Sequence, residues 1–71
     1  MERFLRYSLE RQRPIRLIYQ RAGRIWQRKA QVLALTETTV RLRSIRPQEE
    51  WEMPRDDLLG AEYAPGDEGQ E

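Results

Sequence analysis

The chain has no cysteine and no histidine among its 71 residues. The first absence excludes a disulfide framework, thiolate metal sites and redox chemistry at sulfur. The second removes the commonest general base and the usual zinc ligand, so Ser8 and Ser44 have no histidine partner for nucleophilic catalysis. Long hydrophobic runs are missing too: the longest, Val32 to Leu35, falls far short of the ~20 residues that cross a membrane. The opening MERFLRYSLERQRP lacks the apolar stretch of a signal peptide. Glycine is sparse, and RAGR, residues 21 to 24, is a turn and not a phosphate-cradling loop. Adjacent Asp56 and Asp57 would diverge on a helical turn, and they read as favourable charges at its start more readily than as metal ligands. These absences lead to the expectation of a cytoplasmic, non-catalytic protein that needs no cofactor, metal or membrane.

What is present is charge, unevenly placed. Residues 1 to 46 hold twelve bases against three acids, net +9, whereas residues 47 to 71 hold one base against nine acids, net −8. As separate modules, these halves would be a nucleic-acid binder and an acidic tail; within one small domain they can meet and cancel. At this length one domain is the limit, and it buries only roughly 60% of the surface that the unfolded chain exposes.

Apolar periodicity divides the chain further. Phe4, Leu5 and Leu9 share a face over residues 2 to 12, which predicts a short amphipathic helix ended before Pro14. Alternation of period two follows. Ile15, Leu17 and Tyr19 define a first strand, and QRAGR a hairpin turn of three to five residues around Gly23. Residues 25 to 36 form a long second strand in which Trp26, Arg28, Ala30 and Val32 share one face while Leu33 and Leu35 take the other. Such a switch implies a bend or bulge. TETT turns into a third strand with Val40 and Leu42 inward. RPQE makes the next corner, to which Pro47 is suited, before a fourth strand, EWEM, with Trp51 and Met53 inward. PRDDLLG reads as a single helical or 3₁₀ turn, AEYA as a short fifth strand, and residues 65 to 71 as a disordered acidic tail. The expected fold is therefore mainly β with an N-terminal α-helix: an SH3-like or Sm-like small barrel of about five antiparallel strands within residues 1 to 64.

The segments LERQRPIRLIYQRAGRIWQRKAQVLAL and MPRDDLLGAEY resemble the WYL domain, an Sm-like module of bacterial transcriptional regulators, over roughly residues 5 to 63. YolD-like proteins are a distant alternative likeness. The WYL resemblance implies a ligand sensor in bacterial transcription regulation, with nucleic acid or a nucleotide among its ligands, and it makes Arg28 the position to carry over as a ligand contact.

The residues themselves point to two kinds of surface. Arg21, Arg24, Arg28 and Lys29 lie on the first hairpin, near Trp26, Tyr19 and Tyr7; arginine forks suit phosphate, and aromatic rings stack on bases. These four are the candidate nucleic-acid or anion contacts. Ile18, Ile25 and Ile45 fall where alternation predicts exposure, and they form a candidate patch for a protein partner or a second copy of the chain. Arg41 and Arg43 share an outer face with Glu50 and Glu52, so that hairpin is expected to neutralise itself and leave Arg46 without an evident partner.

Overall fold

A computed structural model of the chain describes residues 1–66. Helix α1 spans Glu2–Arg11 and is followed by strands β1 (Ile15–Arg21), β2 (Arg24–Leu35), β3 (Thr39–Ile45) and β4 (Gln48–Pro54). A 3₁₀ turn, Arg55–Asp57, then leads into β5 (Leu58–Tyr63). The strands form one antiparallel sheet in the order β4-β3-β2-β1-β5. This is the mainly β, helix-first architecture that the residue pattern predicts.

The barrel does not close. No ladder joins edge strands β4 and β5 among the described residues. They nevertheless approach each other at one end, because only the three residues of the 3₁₀ turn separate them, which puts Pro54 and Leu58 four residue steps, about 14 Å at most, apart. The result is a strongly curled sheet around one core, in which Ile15, Leu17, Val32, Val40 and Leu42 are fully buried.

Curvature is concentrated in β2, the longest strand. Its residues 24 to 30 pair with β1 and residues 31 to 35 with β3, and its register against β3 shifts between Val32 and Ala34. This is the bulge that the change of apolar face at Leu33 implies. Ser8 fixes the helix there: its fully buried Oγ donates to the Arg13 carbonyl at 2.6 Å and accepts from the Val32 amide at 2.8 Å. The helix ends at Gln12, which adopts the left-handed conformation.

Three local expectations change. The first hairpin turns on two residues, not three to five: Ala22 and Gly23 both have positive φ, at 55° and 74°, which matches the right-handed twist of the flanking strands. β4 begins at Gln48, with Glu49 already paired to Ser44. β5 takes in Leu58, Leu59 and Gly60, and only Arg55–Asp57 remain helical. Pro65 and Gly66 form a turn; from residue 67 onward, the expected acidic tail lies outside the described residues.

Candidate ligand surfaces on the two faces of the first hairpin

Strand alternation divides the four candidate contacts between two faces. Arg21, Arg24 and Arg28 have the same parity as buried Tyr19 and Ala30 across the β1–β2 register, so they lie on the concave face. Lys29 has the opposite parity and lies on the outer face. The four therefore do not form one cluster.

At the hairpin tip the concave face carries cations over an accessible ring. The Arg24 guanidinium lies 5.4 Å from the centroid of Trp26, and the Trp26 Nε1 donates to the Arg21 carbonyl at 3.2 Å. Trp26 is 38% exposed, whereas Tyr19 and Tyr7 are buried at 1% and 6%. Of the three aromatic side chains near the basic residues, Trp26 alone presents a surface on which a planar ligand can stack.

Arg28, deeper on the same face, is already occupied. One amino group lies 2.7 Å from Glu49 Oε1 and the other 2.6 Å from Ser44 Oγ, while the guanidinium carbon sits 4.7 Å from the centroid of Trp51. Ser44 Oγ in turn donates to the Pro47 carbonyl at 2.5 Å. The hydrogen bond from Arg28 holds the Glu49 carboxyl below its ordinary pKa, with further charge contributions from Arg28 and Arg21, and the Glu49 bond raises the pKa of Arg28. The sequence reading pairs neither Glu49 nor Ser44 with Arg28, although parity marks both: Glu49 alternates in step with Trp51 and Met53, and Ser44 with Val40 and Leu42.

The outer face has a different site. β3 leaves β2 beyond the pair Gln31↔Arg43. The strands splay there and open a groove of about 730 Å³ lined by Gln27, Lys29, Gln31, Arg43, Ile45 and Arg46, with Pro14 at its margin. Lys29 and Arg46 make no ion pair among the described residues; Arg43 donates to Gln31 Oε1 at 3.3 Å. Arg16, beside the groove, is paired with Glu62 at 3.0 Å.

Ile25 and Ile45 are 73% and 67% exposed, and Ile18 is at 36%. Ile18 and Ile25 are diagonal neighbours on the outer face of the first hairpin; Ile45 lies across the groove on β3. In the second hairpin the register is the expected one, with Leu42 opposite Trp51, Arg41 opposite Glu52 and Arg43 opposite Glu50. Its one ion pair among the described residues is diagonal, Arg41 to Glu50 at 3.3 Å.

No metal-binding group of carboxylates occurs among the described residues, and no described helix is long and apolar enough to cross a membrane. No protein family, curated protein or solved structure matches this chain. The fold and these surfaces define a class, a small curled-sheet domain with an N-terminal helix.

Proposed function

We propose that the chain is a non-catalytic, WYL-like binding module that takes an anionic, base-bearing ligand, single-stranded nucleic acid or a nucleotide, at the tip of its first hairpin. The observation that carries this reading is the Arg24 guanidinium over the accessible Trp26 ring, with Arg21 beside it. Cations with forked donors next to an exposed aromatic ring suit a phosphate backbone and an unpaired base together. Arg28 closes the inner end of this surface, where a ligand anion would share its guanidinium with Glu49. The WYL-like residue pattern supports a regulatory role for such binding in a bacterial cytoplasm.

Titration with a short oligothymidylate, followed by amide shifts and tryptophan fluorescence at stepped salt, tests the reading. The logarithm of affinity is expected to fall with that of salt by about 0.7 per phosphate contact. Trp26→Ala is expected to remove about 1–3 kcal/mol of binding, and Arg21→Glu with Arg24→Glu to abolish it. Binding indifferent to these changes, or shifts confined to other strands, would overturn it.

A second reading, self-association or capture of a protein partner, is favoured by the exposure of Ile25 and Ile45. It predicts a multimer by light scattering that disperses when Ile18 or Ile45 is made charged.

A further inference from the structure

The outer groove has a feature that neither reading uses: one of its walls is the edge of a strand. Five consecutive residues, 27 to 31, line it, which occurs when a groove runs along a backbone and not merely across side-chain tips. On the side facing β3, β2 has no ladder partner from Arg24 to Ala30 among the described residues, since β3 pairs only from Gln31 onward. Side chains do not occupy those open backbone groups either; no described side chain hydrogen-bonds to the main chain of residues 24 to 30. On the inner side, the Arg28 side chain crosses the gap to reach Ser44 and Glu49 and gives the groove a floor.

We propose that this groove binds an extended acidic peptide segment of a partner protein by strand addition to the open half of β2. Main-chain donors and acceptors along such an edge supply the binding, and alternate side chains supply the selectivity. Here every titratable side chain on the outer walls is a cation, namely Lys29, Arg43 and Arg46, and no carboxylate among the described residues lines the groove. A strand laid against β2 places alternate residues beside these cations, where carboxylates are favoured and like charges are not. Exposed Ile45 offers one apolar seat within the same wall. The cations also select against a second copy of this chain pairing through the same edge, because each copy would bring Lys29 against the basic wall of the other. This inference is independent of nucleic-acid binding at the tip, which uses the opposite face.

The test is amide-shift titration of the intact chain with a blocked hexapeptide of alternating glutamate and valine. Three probes accompany it: the lysine–valine counterpart, the glutamate–valine peptide N-methylated at every residue, and oligothymidylate. Shifts are expected at residues 27 to 31 and 43 to 46, with slowed amide exchange along β2. Affinity is expected to drop at least about tenfold with Lys29→Glu and Arg46→Glu together, both exposed positions, and to be unchanged by Arg21→Glu at the tip. N-methylation is expected to abolish binding, because it removes the donors that a ladder requires. Equal binding of the N-methylated peptide would reduce the site to ion pairing and overturn strand addition. Equal binding of the lysine peptide, or groove shifts with the oligonucleotide and none with the acidic peptide, would overturn the proposed partner.

Discussion

The Arg28 Nη1 stands 2.7 Å from Glu49 Oε1 and ties the middle of β2 to the start of β4 across a gap that β3 leaves open. Because this hydrogen bond holds the Glu49 pKa below its ordinary value in the folded state, the pair contributes stability above the unfolded-state pKa of glutamate. That contribution is lost as pH falls through the folded value. Urea unfolding at a series of pH values should therefore show Glu49→Gln to be less stable than the parent near neutrality and less sensitive to acid below the ordinary glutamate range. Parallel stability–pH curves for the two proteins would show that the pair carries no such linkage.

Tyr7 packs edge-on against Tyr63 with ring centroids 5.0 Å apart, and its buried hydroxyl has no hydrogen-bond partner among the described residues. An unsatisfied buried hydroxyl costs about 1–3 kcal/mol. Tyr7→Phe keeps the ring and removes the orphan, so it should stabilise the domain by about 1 kcal/mol, a rise in Tm of roughly 4–8 °C at this chain length. A lower Tm by differential scanning fluorimetry would mean that the hydroxyl is satisfied in solution.

Ser8 makes the reverse case. Its hydroxyl serves the helix end and the β2 bulge together, through the Arg13 carbonyl and the Val32 amide. Ser8→Ala would orphan a buried backbone donor, with an expected loss of about 1–3 kcal/mol in chemical denaturation. Hydrogen exchange at the Val32 amide should accelerate in the same variant; unchanged exchange would assign that protection to another group.

Much of this architecture is legible in the alternation of the sequence. Ile15, Leu17 and Tyr19 go inward on β1, Val40 and Leu42 on β3, Trp51 and Met53 on β4, and all are buried. The change of face at Leu33 marks the bulge because a one-residue insertion is the local way to reverse a period of two. The candidate site was less legible, for a specific reason. Arg28 and Lys29 are neighbours in the chain and therefore lie on opposite faces, yet counting bases along a hairpin groups them. The same parity that sends Arg28 inward also sends Ser44 and Glu49 inward, and a half-buried guanidinium requires such partners. The outer groove lies beyond this kind of reading, because it depends on where β3 leaves β2, and that is set by the curl of the whole sheet.

The tightness of the first turn gives a last prediction. Ala22 sits at φ 55°, a left-handed conformation that costs a residue with a Cβ about 1 kcal/mol and that asparagine tolerates better. In a two-residue turn with positive φ at both positions, Asn-Gly is the favoured pair, and Gly23 already fills the second place. Ala22→Asn should therefore stabilise the domain by roughly 0.5–1 kcal/mol. Ala22→Val, with a branched Cβ in the same conformation, should destabilise it by more than that. Both should keep the pairing of Arg21 with Arg24 and of Tyr19 with Trp26, read as unchanged cross-strand contacts between their backbone protons. If Ala22→Val instead shifts that register by one residue, Trp26 moves to the outer face and oligothymidylate affinity should collapse with it, whereas Ala22→Asn should leave the affinity intact.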